Sequence, residues 1–395
     1  MKEPRVVVAS RLYAPEVTAA SFRMEALVRA LGKNVDVTVL TTRPPAGLSS
    51  AQPEPAPRAA RVKRMPVLRD RAGAIRGYAQ YLSFDLPLAL RLLVNRADAI
   101  VSEAPPTTGL VCTIIGWLTR RPVVYYPGDV WSDAIASTRA PRIVHRVMKS
   151  IESFVIRNSA RCIAVSPEIG RRLEALGAEP ENVAEVGNGI DTSVFRPDAP
   201  RAEASRPYFV YTGTMSEWQR PEVFVRALAL LPDLDVEIRF FGQGSAERDL
   251  RSLADELVPG RVHFCGLVPP DESASWIRGA VAALVSIVPG IGYDFARPTK
   301  TYAAAAVGTP VLFAGASTGA RIVQEAKLGE AVGFSPEAVA EAMRRLVEQD
   351  ADGTSEARRE SRVRWAVDNV AWTSVGARAA RTVLGLLPGH AAARQ

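Results

Sequence analysis

Lys300 opens an alanine-rich helical run, KTYAAAAVG, directly after the segment ARPT. The unpaired N–H groups at such a helix start carry partial positive charge, and a lysine beside them makes a place where phosphate would be held. The alternative is a surface lysine in an ion pair. Just upstream, PGIGY over residues 289–293 sets Gly290 and Gly292 where backbone amides can approach a ligand closely, unless the segment is a plain turn. Asp129 follows the strand-like run PVVYYP, so its carboxylate falls at the carboxyl edge of a sheet. There it could orient a hydroxyl or take its proton, or it could cap the helix that follows. Trp131 could wall the same site or fill core. FGQG, with Gly242 and Gly244, falls short of a GxGxxG fingerprint and reads as a structural turn. Cys112, Cys162 and Cys265 lie in separate apolar segments and read as small buried hydrophobes. His145, His263 and His390 share no metal-ligand spacing with them, so no metal site is expected.

The elements that must carry these residues alternate strand and helix. RVVVAS is a continuous β-branched run, as in a parallel strand covered on both faces. Phe22, Leu27, Val28 and Leu31 fall at helical spacing, and VDVTVLTT is the next strand. The loop RLYAPEVTAAS thus sits at the carboxyl end of the first strand, where open α/β sheets bind ligands. Strands at residues 99–103, PVVYYP and RCIAVS follow, with helices over 108–119, 142–158 and 167–176, and VAEVGNG closes the series. Residues 43–60 read as a loop, and PDAPRAEASRP over 197–207 reads as a linker. A second series then runs through YFVYTGT, VEIRFFGQG, RVHFCG, AALVSIV and TPVLFAG, with helices between them and three more near 336–348, 355–369 and 373–386. The pattern is α/β: two successive doubly wound domains.

At 395 residues, 47% hydrophobic and 23% charged, the chain suits two ordinary globular domains. RVVVA is too short for a signal-peptide core, and the longest apolar stretch, near residues 109–118, is well short of the ~18–20 residues of a membrane span. A soluble, cytoplasmic protein is expected. The net charge of +7 is uneven, with 27 Lys and Arg against 19 Asp and Glu over residues 1–200 and 22 against 23 beyond. RVKRMPVLRDRAGAIR over 61–76 concentrates the excess. No nucleic-acid motif accompanies it, so nucleic acid is not an expected partner. An anionic acceptor, peripheral contact with an anionic inner membrane face, or a solvated basic loop remain open.

NGIDTSVFRP over 188–197 resembles the NG-(I/V)-D-xxx-F-xP signature that ends the first domain of family 4 retaining glycosyltransferases of the GT-B fold. YAPEVTAASFR stands where that family has its first glycine-containing loop, and SEAPPTTGL, YYPGDVWSD and IESFVIRNSARCIAVSPEI resemble its later first-domain segments. YTGTMSEWQRPE, FFGQGSAERDL, VHFCGLV and RPTKTYAAAAVGTPVLFAG follow at the expected intervals. Trp372 in VAWTS resembles the tail motif before a helix that returns to the first domain. The resemblance spans roughly residues 5–385. It implies two Rossmann-like domains facing a central cleft. The first, acceptor-binding domain covers residues 1–197 with a C-terminal helix at about 373–395, and the second, nucleotide-sugar-binding domain covers 207–372.

The resemblance also implies a retaining, metal-independent transfer from a UDP-, dTDP- or GDP-linked sugar to a hydroxyl of an anionic, lipid-linked or small-molecule acceptor, with no further cofactor. Arg220, seven positions after Gly213, and Lys300 would hold the diphosphate; Thr214 stands where another basic residue is usual. Gly290, Ile291, Gly292, Tyr293 and Thr299 would meet the sugar and phosphates, and Leu267 and Val268 the base through main-chain atoms. Ala20 and Ser21, with Ala19, replace the family's glycine pair and keep room for the diphosphate. Arg23 would add charge there, and Asp129 and Trp131 would face the acceptor. The family's two glutamates, eight positions apart, fall here on Phe295 and Ala303, which cannot bind ribose hydroxyls. A thymidine donor, substitution by Glu325, or a binding-only relative would each account for this. A sugar-nucleotide epimerase is the alternative enzyme, although it would call for histidines, of which there are three. A dehydrogenase lacks its glycine fingerprint.

Overall fold

The computed structural model describes residues 3–16, 18–45, 60–70, 75, 77–136, 141–291, 293–315 and 317–387. Gly292, His390, most of the 43–60 loop, Arg71 and Arg76 of the basic stretch, and the last part of the expected C-terminal helix lie outside the described residues. Two compact units form, one from residues 1–188 with 372–395 and the other from 189–371. The first therefore ends before the expected Pro197. The reason is local: Ile190 bridges to Ala371, and Ile190 and Phe195 pack against a core of the second unit.

The first unit runs β1 (Arg5–Ala9), α1 (Ala19–Leu31), β2 (Asp36–Thr42), β3 (Ala60–Met65), α2 (Tyr78–Val94), β4 (Ala99–Glu103), α3 (Pro106–Thr119), β5 (Val123–Tyr126), α4 (Trp131–Ala136), α5 (Arg142–Asn158), β6 (Arg161–Ala164), α6 (Pro167–Ala175) and β7 (Val183–Glu185). Its parallel sheet has the order β3-β2-β1-β4-β5-β6-β7. The period of two in β1 assigns the layers: Val6 and Val8 join Met24 and Leu27 of α1 in one core, while Val7 and Ala9 join Phe84 and Leu88 of α2 in another.

The second unit runs β8 (Tyr208–Thr212), α7 (Glu222–Ala229), β9 (Glu237–Phe241), α8 (Glu247–Leu257), β10 (Val262–Gly266), α9 (Pro270–Gly279), β11 (Ala282–Ser286), α10 (Thr299–Val307), β12 (Val311–Ala314), α11 (Thr318–Glu325), β13 (Gly329–Val332), α12 (Pro336–Ala351), α13 (Thr354–Ala357) and α14 (Arg359–Asn369). Its order is β10-β9-β8-β11-β12-β13, again parallel. β11 is buried along its whole length, as its apolar run Ala282–Val285 requires. The chain then returns through α15 (Trp372–Leu384) to the first unit. There Trp372 stacks on Phe22, and Gly376 lies so close to α1 that a Cβ on it would fall 2.6 Å from the carbonyl carbon of Ala26.

β3 and α2 were not expected. β3 occupies the start of the stretch read as a basic loop, and two of the described cations there are spent within the unit. Arg64 donates to the carbonyl of Ala14 at 2.6 Å, and Arg69 grips both oxygens of the buried Glu16 at 3.1 Å. They hold the β1–α1 loop in place, so the reading of 61–76 as a free basic loop is corrected for both. In each sheet the strand order reverses beside the first strand, between β1 and β4 and between β8 and β11. The loops after those four strands are where doubly wound sheets bind ligands.

Candidate functional site

In the second unit Gly213 follows β8 and Lys300 follows β11, so they flank the reversal point. Gly213 has φ +106, which an L side chain rarely adopts, and its N–H donates to the carbonyl of Phe241 at 2.8 Å. The β9–α8 loop closes from the side: Gly242 donates to the carbonyl of Gly266 at 2.7 Å, and Met215 donates to that of Gln243 at 3.1 Å. A Cβ on Gly242 would fall 2.8 Å from the carbonyl carbon of Gly213 and nearer still to its oxygen. The FGQG glycines are therefore structural, as read from the sequence.

The side chain of Lys300 runs back under this turn. Its Nζ lies 3.6 Å from the centre of the Tyr211 ring, and a Cβ on Gly213 would lie 3.9 Å from Nζ. Nζ is buried and has no hydrogen-bond partner among the described residues. Loss of solvent pushes the ammonium down to about 7 from 10.5. α10 begins at Pro298 with no side-chain cap, so its first N–H groups add to the positive end. A buried cation without a counter-charge is costly, and an anion is what would relieve it. The Oγ atoms of Ser216 and Ser286 and Oγ1 of Thr301, also at the carboxyl ends of β8 and β11 or in the first turn of α10, are buried without partners too.

Tyr211, which sequence reasoning missed, fixes this arrangement. Its hydroxyl donates to the carbonyl of Thr214 at 2.8 Å and also bonds the side chain of Gln219. Trp218 of the same loop stacks on Tyr293 with ring centres 5.0 Å apart, and Val288 donates to the carbonyl of Trp218 at 3.0 Å. The loops after β8 and β11 are thus pinned to each other. Asp294 accepts from the N–H of Gly290 at 3.1 Å, shaping the glycine turn, and Ile291 and Tyr293 are exposed beside it. Thr214 and Thr299 are exposed, Leu267 is exposed after β10, and Val268 packs partly on the core.

Arg220 is in a left-handed conformation, with φ +44, and its Nε bonds Glu222 at 2.6 Å. It is exposed. Glu325, the candidate substitute for the missing ribose carboxylate, is not placed at the carboxyl edge of the sheet. It is exposed in the last turn of α11, the end from which the chain enters β13, about 12 Å of helix from the N-cap Ser317. A helix that starts at the carboxyl edge of a sheet carries its last residue away from that edge, which corrects the expectation. Ala303 is buried on α10 and Phe295 is exposed.

In the first unit Thr18 caps α1: its Oγ1 accepts from the N–H of Ser21 at 3.1 Å and bonds the Ser21 hydroxyl, with Ala20 half-buried beside them. Arg23 is not a free charge at this loop. It is buried, pairs with Glu103 at 3.3 Å and lies against the backbone of Gly128. Glu103 ends β4; burial raises it to about 7 against the pull of Arg23 and Arg11. Arg11, at the end of β1, sits 3.9 Å over the Tyr81 ring, and its Nη1 has no partner. Tyr81 in turn meets Trp131 edge-on at 5.9 Å. Trp131 is therefore at the carboxyl edge and only half-buried. Asp129 is exposed beyond β5 and does not cap α4. The buried Glu152 of α5 does so, accepting from the N–H groups of Trp131 at 2.9 Å and Ser132 at 2.8 Å. Arg11, Glu103 and Glu152 were not legible as site residues, because their partners lie on other elements.

Residues 18–189 match the glycosyl transferase 4-like domain family, and residues 196–365 match the glycosyl transferases group 1 family. A D-inositol 3-phosphate glycosyltransferase of Thermomonospora curvata is 29% identical over 233 residues, which is 51% of this chain and 52% of that protein. The chain spans about half the length of the curated relatives it matches. HepE of Anabaena, solved in complex with UDP, has the same fold at 15% identity, with a TM-score of 0.66 over 96% of this chain and 99% of that one. A Listeria monocytogenes protein assigned as a UDP-N-acetylglucosamine 2-epimerase also shares it, at 13% identity, a TM-score of 0.59 and coverage of 98% and 96%. Fold alone does not choose between transfer and epimerisation.

Proposed function

The chain belongs to the GT-B glycosyltransferases, a 4-like domain followed by a group 1 domain, and from that premise we propose that it moves a sugar from a nucleoside-diphosphate sugar to an acceptor hydroxyl, with retention and without a metal ion. One observation carries this reading: the buried, unpartnered ammonium of Lys300 beside the Gly213 turn and the uncapped start of α10. In the reaction the bond from the anomeric carbon to the diphosphate oxygen breaks, and its electron pair leaves on the diphosphate. The acceptor oxygen bonds the same carbon on the face from which the diphosphate departs, and its proton passes to a leaving phosphate oxygen. Lys300, the α10 N–H groups and Arg220 offset the negative charge that grows as this bond breaks, which favours the transition state over the bound substrate. Asp129 orients the acceptor hydroxyl.

The UDP bound by the Anabaena neighbour supports a nucleotide donor, and the relatives named for D-inositol 3-phosphate support a phosphorylated acceptor. Arg11, with Nη1 unpartnered, offers a cation for such an acceptor in the first unit. An epimerase is less well supported: of the two described histidines, His263 pairs with Glu237 at 3.0 Å and His145 lies on α5. The free thiols of Cys112, Cys162 and Cys265 fit a reducing, cytoplasmic setting.

With Ala303 and Phe295 in place of carboxylates and Glu325 remote, the ribose is expected to be gripped loosely. Thymidine and uridine diphosphate sugars should then raise the melting temperature comparably, or the thymidine form more, by mass action. A clear preference for the uridine form in thermal shift and turnover would exclude a deoxyribose donor. Binding of either without transfer of radiolabelled sugar would instead identify a binding-only relative.

The lowered Lys300 gives a pH dependence of definite sign. Between about 7 and 10.5 the unfolded chain holds this proton and the ligand-free folded chain does not, so ligand-free stability rises with pH across that window. A bound diphosphate restores the proton. Nucleotide affinity should therefore fall as pH rises above about 7, with close to one proton taken up per nucleotide at the upper end. Calorimetry in buffers of different ionisation enthalpy measures that uptake, and its absence would remove Lys300 from the anion site.

A further inference from the structure

Three neighbouring helices of the first unit leave apolar side chains outward. On α2, Tyr78, Leu82, Leu86, Leu90 and Val94 recur every four residues and are all exposed, Leu86 to 68%. Such a stripe normally faces a core, yet the core of α2 is supplied by Phe84, Leu88 and Leu92 on its other side. α3 packs between α2 and α5 and adds Ile114, Leu118 and Trp117, the last 80% exposed. α5 adds Ile143, Val147 and Phe154. Soluble surfaces rarely leave so many large apolar side chains exposed on adjacent helices without a use for them.

The charges on these helices identify what covers it. Their acidic residues are Asp85 and Glu152, and both are buried. Arg142, Arg146, Lys149 and Arg157 are exposed along α5, and Arg96 and Arg120 lie exposed just past the ends of α2 and α3. A second copy of the chain would bring this cationic surface against itself. An anionic lipid surface complements both the cations and the leucines. No helix among the described residues is long and apolar enough to cross a membrane.

We propose that the α2–α3–α5 face docks on an anionic lipid bilayer, with the α2 stripe and Trp117 at the acyl boundary and the α5 cations among the headgroups. Tyr81 of α2 reaches Trp131 and Arg11, so the docked face ends beside the carboxyl edge of the sheet. The docking stands whether or not the chain transfers sugar.

Co-sedimentation with vesicles tests it, using phosphatidylcholine alone and phosphatidylcholine mixed with phosphatidylglycerol. Binding is expected to the mixed vesicles and to be weak to the neutral ones. The double variant Leu86→Glu, Trp117→Glu should lose it while keeping the wild-type melting temperature and nucleotide affinity, because both positions are exposed and neither belongs to the proposed site. Arg142→Gln with Arg146→Gln should weaken it roughly thirty-fold, two cations near an anionic surface. Failure to bind the mixed vesicles, or binding indifferent to these substitutions, would overturn the proposal. So would sedimentation velocity showing, without lipid, a dimer that the Leu86→Glu, Trp117→Glu variant splits.

Discussion

Lys300→Met is expected to lower kcat/KM for sugar transfer by about 10²–10³-fold while leaving the melting temperature of the ligand-free protein unchanged or higher. The two halves of that result have one cause. The ammonium is buried over the Tyr211 ring without an anion, so the folded chain holds it at a cost. Methionine keeps the unbranched stem and removes the charge, which relieves the empty protein and deprives the diphosphate of its partner. A lysine serving a surface ion pair would give the opposite pattern, with near-normal turnover. Steady-state kinetics with a saturating acceptor and a thermal melt at pH 7 separate the two.

Gly242→Ala is expected to have the largest effect on stability, a loss of about 3 kcal/mol or more, together with weakened nucleotide binding. Two costs combine. The residue sits at φ +133, and the new methyl would overlap the Gly213 carbonyl. That carbonyl is backbone, and the N–H of the same residue is anchored on the carbonyl of Phe241, so relief must displace the turn that overlies Lys300. Gly260→Ala is the control: it shares a positive φ of +74 but meets nothing within 4 Å, and should cost only about 1 kcal/mol of backbone strain. Denaturant titration of both variants measures the difference. Equal losses would mean that the close approach does not matter.

What could be read from the sequence was what lies within one element or its adjoining loop. β1, β4, β5, β8, β11 and β12 are short, mostly apolar runs, and their alternation with helical segments announced two doubly wound sheets. The helix start at Lys300 and the turn at Gly290 could be read for the same reason, since each is set by a local run of residues. β3 and α2 escaped. β3 alternates basic and apolar residues on a sheet edge, and α2 contains Pro87 and carries leucines on its outer face as well as its inner one, which blurs the helical period. Roles that depend on strand neighbours escaped too. Glu103 meets Arg23 across 80 positions, and Glu152 caps α4 from the following helix. The pairing of Arg23 with Glu103 and the position of Glu325 at the far end of α11 were hidden for the same reason, since both depend on how distant segments pack.

The most direct test of the account is a crystal structure of the protein with a nucleoside-diphosphate sugar bound. A phosphate oxygen is expected about 3 Å from Nζ of Lys300, at the first turn of α10 and beside Gly213. A diphosphate bound elsewhere, with the Lys300 ammonium still buried against Tyr211 and without a partner, would contradict it.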